Sequence, residues 1–195
     1  MSENAPADRR VRRTRAALHN ALFALMLEKD YDAITVQDIA DRADVVRSTF
    51  YMHFTDKDEM LRIAVAHVRD WAVANAPPGV RFGFSEPLFR HASEVGPVLR
   101  TVAQRQTWGL VHRLFSEIIG ELVRKELLPA RQRAGTVAPD AVAVDAVAHL
   151  VSAAWTSVLT WSLERDRASD AAEMDRLFRA FALPGADAVL SAQPA

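Results

Sequence analysis

The segment DVVRSTFYMHFTDK, residues 44–57, concentrates side chains that can bind nucleic acid. Such side chains donate or accept hydrogen bonds at base edges and phosphates, and here they are Arg47, Ser48, Thr49, Tyr51 and His53. Phe50 and Phe54 are four residues apart, so on a helix they share one face and can anchor it to a core. The segment therefore predicts a short helix, from Val46 to His53, that presents polar groups to a partner.

A second helix is predicted immediately before this segment. Thr35 with Asp38 three residues later is typical of a capping box, and Ile34, Ile39 and Ala40 would face inward. About three residues separate the two predicted helices, which gives them the proportions of a helix-turn-helix. An amphipathic helix from Thr14 to Lys29 precedes the pair.

Two residues of the turn are unusual for this motif. The turn needs a residue that reaches positive φ, and Asp44 tolerates this conformation less well than glycine does. Val46 stands where the recognition helix begins, and its side chain cannot accept a capping hydrogen bond, which costs about 1 kcal/mol. Two explanations are open. In the first, Val46 has no role in binding and either packs against a neighbour or is merely tolerated. In the second, its methyl groups contact a thymine methyl group in the major groove.

The run TVQDIADRADVVRSTFYMHFTDKDEML resembles the DNA-binding domain of TetR-family transcriptional regulators. The matching positions are Thr35, Ala40, Ala43, Val45, Thr49, Phe50, Tyr51, Phe54 and Lys57. The resemblance covers residues 10–63, about a third of the chain. It implies that Thr35, Tyr51 and Lys57 contact phosphates, while Arg47, Ser48, Thr49 and His53 approach base edges.

A basic segment precedes the predicted motif. Between Arg9 and Leu27 there is no acidic residue, and five arginines crowd the start of this stretch: Arg9, Arg10, Arg12, Arg13 and Arg15. Such a segment can be a solvated basic tail or the Arg-rich start of a helix. Alternatively, it is an arm that lies along DNA, where each neutralised phosphate releases counterions.

The fold class predicted for the whole chain is all-α, with an N-terminal three-helix DNA-binding domain at 1–62 and a helical bundle at 63–195. Apolar residues recur at helical spacing along most of its 195 residues. Further helices are predicted over 87–91, 95–104, 107–128, 140–165 and 170–183, with Pro129 and Pro184 ending two of them.

No apolar run approaches the roughly 18–20 residues that span a bilayer, the N-terminus lacks a secretion signal, and there is no cysteine. These features indicate a cytoplasmic protein without a membrane partner.

The resemblance implies that the C-terminal bundle dimerises and holds a small molecule. Residues at helical spacing that can line a partly apolar pocket are Gln104, Arg105, Trp108, His112 and Phe115, with Phe89 and Trp155 as opposite walls. The alternative is that this aromatic set is plain core. His112 is expected to be a buried, hydrogen-bonded histidine, since no metal-ligand spacing surrounds it. We expect no metal and no cofactor.

Apolar stripes on the last two predicted helices suggest a dimer interface of four helices. Its predicted members are Val147, Val151, Ala154, Val158, Trp161, Leu177, Phe178 and Phe181. The alternative is that these stripes belong to the core of a single chain.

The resemblance implies a ligand-responsive regulator, most simply a repressor, that binds a palindromic double-stranded operator as a homodimer. The second hypothesis is a helical adaptor that uses the same scaffold to bind protein. An enzyme is not expected, because the sequence lacks a glycine-rich phosphate loop, a nucleophile elbow and a paired metal-ligand motif.

Overall fold

The computed structural model describes the backbone of residues 5–133, 141–164 and 170–191, and side chains over 9–127, 141–164 and 170–191. Within these ranges the chain is all-helical, as predicted. The helices are α1 (Ala5–Glu28), α2 (Val36–Arg42), α3 (Arg47–Tyr51), α4 (Lys57–Ala74), α5 (Ser85–Glu94), α6 (Gly96–Ala103), α7 (Thr107–Arg133), α8 (Ala141–Glu164) and α9 (Ala171–Ser191), with a 3-10 helix at Tyr31–Ala33.

The first of two apolar cores, here called the N-terminal cluster, joins α1, the 3-10 helix, α2, α3 and the start of α4. Its buried members are Leu18, Ala21, Leu22, Leu25, Met26, Tyr31, Ile34, Ile39, Phe50, Phe54, Met60 and Leu61. It forms because the apolar stripe of α1 meets those of three short helices that are each too short to be stable alone. This core fixes the orientation of α3.

The second core, here called the bundle cluster, lies among α5 to α9 and the end of α4. Its largest fully buried side chains include Trp155, Phe82, Phe89 and Phe178. Helix α4 belongs to both cores, because Met60 and Leu61 lie in the N-terminal cluster and Ala72 in the bundle cluster. The predicted boundary at 62/63 therefore falls inside one continuous helix.

The segment between α4 and α5 is firmly anchored. Phe82 is fully buried although its φ is +52°, a conformation that bulky residues rarely adopt. Its backbone N–H lies 3.1 Å from both carboxylate oxygens of Glu126 on α7, and burial raises the pKa of that carboxyl group. The segment rich in proline and glycine is thus tied to α7 just before α5 begins.

Both prolines that were predicted to end helices lie inside them, so these predictions were wrong. Helix α7 continues past Pro129 to Arg133, and α9 continues past Pro184 to Ser191. An interior proline costs a helix about 3 kcal/mol. In α9 this is offset by packing beyond the proline, where Ala186 is buried and Val189 and Leu190 contact the bundle cluster. Asp140, the predicted cap of α8, lies outside the described residues.

Helix α8 corrects a second expectation. It has 24 residues and a most apolar window of mean hydropathy 1.5, so by length and composition it is able to span a membrane. Buried side chains take up 44% of that window. Because α8 packs against α6, α7 and α9, its apolar composition is that of the central helix of a bundle.

Candidate nucleic-acid interface

Helix α2 begins with the predicted capping box. The Thr35 hydroxyl accepts a hydrogen bond from the Asp38 N–H at 3.1 Å, and the Asp38 carboxylate accepts one from the Thr35 N–H at 2.7 Å. The Thr35 hydroxyl also donates to Asp38 at 2.6 Å. Lys29, 2.8 Å from Asp38, and these bonds from Thr35 hold the pKa of that carboxyl group well below its usual range. A phosphate contact by the Thr35 hydroxyl would have to compete with this network.

The turn from α2 to α3 uses the left-handed conformation expected at Asp44, whose φ is +53°. Backbone bonds close the turn, with the Ala43 N–H donating to the Ile39 carbonyl at 3.0 Å and the Val45 N–H to the Ala40 carbonyl at 3.0 Å. Val45 is half-buried against the N-terminal cluster. The turn is therefore fixed at both ends, and Asp44 remains exposed on it.

Helix α3 presents the exposed polar face that the sequence predicts. Phe50 is fully buried and Phe54 nearly so, with their rings 5.7 Å apart, so they fix the helix from beneath. Arg47, Ser48 and Tyr51 are exposed, whereas Thr49 is partly buried. The exposed three are placed where base edges and phosphates would lie if α3 entered a major groove.

His53 differs from the other predicted base contacts. It lies after the end of α3 and is partly buried, with its ring 6.4 Å from that of Phe54. Burial, and then the charge of Arg15, lower the pKa of His53, which favours the neutral imidazole. A role at a base edge stays a prediction for this residue.

Arg47 and Tyr51 contact each other across one turn of α3. The Arg47 Nη2 donates to the Tyr51 hydroxyl at 3.1 Å, and the guanidinium lies 5.6 Å from the centre of the Tyr51 ring. The resemblance implied separate roles for these two residues, Arg47 at a base edge and Tyr51 at a phosphate. Their contact means that Tyr51 also orients Arg47.

The resemblance implied that Lys57 contacts a phosphate, but in the structure its ammonium group is bonded within the chain. Its Nζ donates to the carbonyls of Tyr31 at 2.7 Å and Ile34 at 2.9 Å, and it lies 4.5 Å from the centre of the Tyr31 ring. The Tyr31 carbonyl also accepts from the Ile34 N–H at 3.1 Å, and the start of α4 brings the lysine to both carbonyls. Lys57 thus ties α4 to the segment before α2.

Lys57→Met is expected to lower the free energy of unfolding by about 1–3 kcal/mol. The variant keeps most of the apolar stem but leaves partly buried carbonyls without a charged donor. Urea denaturation followed by circular dichroism measures the change. Arg62→Met is the matched control, because Arg62 is exposed on the same helix and is expected to change stability by less than about 0.5 kcal/mol. Equal effects of the two substitutions would contradict this role of Lys57.

The five arginines of the predicted arm lie on the first half of α1 and are exposed. Arg15 lies over the Phe54 ring, with its Cζ 5.6 Å from the ring centre. This contact places the basic stretch beside the end of the recognition helix. The segment is the Arg-rich start of a helix, and contact of Arg9, Arg10, Arg12 and Arg13 with DNA phosphates stays a prediction.

His19, on the next turn of α1, is a polar group within the N-terminal core. Its Nε2 is buried without a hydrogen-bond partner, and its ring is 5.4 Å from Phe54. Burial lowers the pKa of His19, so the neutral form is favoured beneath α3. No pattern in the sequence predicted a role for this residue.

The predicted pocket residues are only partly brought together. Helix α6 ends at Ala103 and α7 begins at Thr107, so Gln104 lies outside the helix that carries Trp108, His112 and Phe115. Gln104 and His112 are exposed, which also corrects the expectation of a buried His112. Arg105 donates to the Glu28 carbonyl at 3.2 Å and so contacts α1.

The aromatic members of that set do meet. Trp155 stacks on Phe89 with ring centres 4.4 Å apart, and Phe115 lies 5.3 Å from Trp155. Trp108 is partly buried one turn before His112, with the two rings 6.4 Å apart. Trp155 is fully buried, yet its Nε1–H has no hydrogen-bond partner among the described residues. A buried donor without a partner is uncommon in a plain core.

A separate groove of about 540 Å³ lies between the N-terminal domain and the start of α7. It contains none of the predicted pocket residues; its walls include Tyr31, Asp58, Arg62, Arg113 and Glu117. The Tyr31 hydroxyl donates to Asp58 at 2.6 Å, and burial followed by this bond raises the pKa of Tyr31. This groove was not predicted, because its walls come from elements far apart in the chain.

The predicted dimer residues divide into two groups. Val147, Val151 and Phe178 are buried in the bundle cluster of their own chain, so their assignment to a partner interface was wrong. Ala154 and Val158 are partly buried, whereas Trp161, Leu177 and Phe181 are 39%, 40% and 75% exposed. Leu150, which the sequence analysis missed, is 56% exposed and shares the face of α8 that carries Ala154 and Trp161.

Comparison with known proteins agrees with this geometry. Residues 18–63 match the model of the bacterial regulatory proteins of the tetR family. Over 59 residues the chain is 44% identical to the HTH-type transcriptional regulator YxbF of Bacillus subtilis (strain 168). That match covers 30% of this chain and only 16% of the relative, so the chain spans a small part of that relative's length.

Two solved structures share the fold along most of their length. A TetR transcriptional regulator from Streptococcus agalactiae 2603V has a TM-score of 0.61 at 21% identity, and the match covers 90% of this chain and 97% of that one. The dihydroxyacetone kinase operon activator DhaS has a TM-score of 0.57 at 16% identity, with 86% and 94% covered. Residues 18–63, which contain the helix-turn-helix at α2–α3, are thus similar to the bacterial regulatory proteins of the tetR family, and the all-helical fold of the chain is shared with these two structures.

Proposed function

We propose that the protein is a homodimeric, sequence-specific regulator that binds a palindromic operator and responds to a small, partly apolar molecule. Repression is the simplest outcome, because a dimer seated on an operator blocks access to it. Cytoplasmic location follows from the same proposal.

The observation that carries this proposal is the exposed face of α3. Arg47, Ser48 and Tyr51 are exposed on a helix whose opposite face is locked by buried Phe50. No packing within the described chain requires an exposed arginine, serine and tyrosine there, whereas a major groove offers partners for each. The basic start of α1, which touches the end of this motif through Arg15 and Phe54, adds sequence-independent affinity.

Dimerisation is supported by an exposed apolar face on α8 and α9. Leu150, Leu177 and Phe181 are 56%, 40% and 75% exposed. Exposed apolar patches mark sites of protein–protein contact, and a two-fold interface covers the same face on both subunits. Two recognition helices related by that axis would read half-sites one helical turn, or a multiple of it, apart.

A ligand in the bundle is supported by Trp155 and its neighbours. Its buried Nε1–H lacks an acceptor, and Phe89 and Phe115 flank its ring. A small molecule with an aromatic or aliphatic body and one acceptor atom would complement this arrangement.

Contacts between the domains provide a route for the response. Arg69 on α4 binds Glu121 on α7 through two oxygens at 2.9 and 3.0 Å. The Thr107 hydroxyl, in the first residue of α7, accepts from the Tyr31 N–H at 3.1 Å. Because these bonds join α7 to α4 and to the 3-10 helix, a shift of α7 would turn α3 relative to its counterpart in the dimer.

The test of the proposed function is selection of bound sequences from random duplex DNA at two salt concentrations. An enriched palindrome whose affinity falls steeply with salt is the expected result. Salt-sensitive binding without an enriched sequence contradicts specific readout. No DNA binding at either concentration contradicts the proposal and favours the protein-binding adaptor.

The ligand response has its own test. Compounds that raise the melting temperature of the protein are added to the complex with the selected operator. A change in operator affinity is expected, because the coupling requires different ligand affinities of the two conformations. Equal operator affinities with and without a stabilising compound contradict the coupling.

Arg47→Ala is expected to relax base preference at one position of each half-site, at a cost of about 1–3 kcal/mol for the preferred base. Tyr51→Phe is expected to weaken binding to all sequences and, since it removes the acceptor for Arg47, to relax the same position partly. Repeating the selection with each variant measures both effects. An unchanged sequence profile for Arg47→Ala would exclude this residue from the readout.

A further inference from the structure

Val46 is an exposed apolar residue at the start of the recognition helix. It is the N-cap of α3, with extended φ and ψ of −74° and 148°, and its carbonyl accepts from the Thr49 N–H at 2.8 Å. Its side chain makes no capping hydrogen bond and is 68% exposed. The position therefore gives up the stabilisation that serine, threonine, asparagine or aspartate would supply there.

Packing within the chain does not explain this valine. The neighbouring Val45 fills the gap between the turn and the N-terminal cluster, whereas Val46 is not among the residues packed on that cluster. The structure thus removes packing against a neighbour, and the remaining alternatives are that Val46 is merely tolerated or that its methyl groups contact a thymine methyl group. Exposed Arg47 and Ser48 directly follow Val46, so its methyl groups lie at the end of α3 that approaches base edges in a helix-turn-helix.

We propose that Val46 is a specificity-determining residue that contacts the 5-methyl group of a thymine in the operator. That methyl group is the one apolar group which a base pair of unmodified DNA displays in the major groove. A branched aliphatic side chain, unable to form hydrogen bonds, distinguishes it from the polar edges of the other bases. This inference rests on the proposed function, since it requires that α3 enter the groove.

The test replaces thymines of the selected operator, one symmetric pair at a time, by deoxyuridine. This change removes only the 5-methyl group and leaves base pairing intact. For the wild-type protein we expect the dissociation constant to rise about fourfold per half-site at one thymine, the effect of removing one methyl group from an apolar contact. The other thymines serve as internal controls.

Two variants assign the effect to Val46. Val46→Ala and Val46→Ser both remove the methyl contact, so each is expected to bind the thymine and deoxyuridine duplexes about equally at that position. Val46→Ser also restores a capping hydroxyl and is expected to raise the melting temperature by about 2–4 °C, so its lost preference cannot be ascribed to unfolding.

Three results would overturn the inference. Two of them leave the proposed function intact, and the third contradicts both. An enriched operator without a constant thymine in the half-site, or a deoxyuridine effect that persists in both variants, overturns the role of Val46 while the proposed function stands. A selection that enriches no sequence overturns the proposed function and the role of Val46 together.

Discussion

Phe50→Ala is expected to destabilise the N-terminal domain by about 3–5 kcal/mol and to abolish operator binding. Phe50 is fully buried and contacts Phe54 beneath α3, which is only five residues long. So short a helix has little stability of its own, and its conformation depends on this contact. Loss of the ring leaves a cavity and frees the segment that carries Arg47 and Tyr51.

The chain offers a way to assign this loss to one domain. All four tryptophans, Trp71, Trp108, Trp155 and Trp161, lie at or beyond the second half of α4. Tryptophan fluorescence therefore reports mainly on the bundle, whereas far-ultraviolet circular dichroism reports on every helix. In urea, Phe50→Ala is expected to show an early dichroism transition that fluorescence does not follow.

Phe50→Leu is the matched control, because it keeps most of the apolar volume and is expected to cost less than about 1.5 kcal/mol. Coincident dichroism and fluorescence transitions in Phe50→Ala, or a stability equal to that of Phe50→Leu, would contradict the anchoring role of the ring.

Phe181→Ala is expected to weaken the dimer about 30-fold or more. An aromatic residue at the centre of an interface typically contributes 2 kcal/mol or more to binding, which corresponds to about this factor. Phe181 is 75% exposed on α9 beside Leu177, and truncating it leaves the bundle cluster intact because Phe178 fills the core position. Sedimentation equilibrium measures the dimer dissociation constant.

Phe23→Ala is the control for this prediction. Phe23 is 40% exposed on α1, away from α8 and α9, so its truncation is expected to leave dimerisation unchanged. Binding to a palindrome should weaken in Phe181→Ala, while binding to an isolated half-site should not. A wild-type chain that is monomeric at micromolar concentration, or a dimer equally sensitive to both substitutions, would contradict the proposed interface.

The sequence alone determined the features that depend on neighbours a few residues away. The capping box of Thr35 and Asp38, the left-handed turn at Asp44 and the burial of Phe50 with Phe54 were all predicted and are all present. Each depends on backbone geometry and side-chain spacing within one or two turns. The pattern of the helix-turn-helix was readable for this reason.

Tertiary structure alone decided which apolar and charged side chains remain exposed and able to bind a partner. Lys57 reaches the Tyr31 carbonyl, 26 positions earlier, and no spacing rule predicts a bond between elements so far apart. On α9, Phe178 and Phe181 are equally apolar in the sequence, yet one is fully buried and the other is 75% exposed, because α5 and α8 cover only one face. Pro184 remains inside its helix because packing on both sides outweighs the lost hydrogen bond. Local patterns fix which elements form, whereas the placement of distant elements decides which side chains are left for DNA, a ligand or a second subunit.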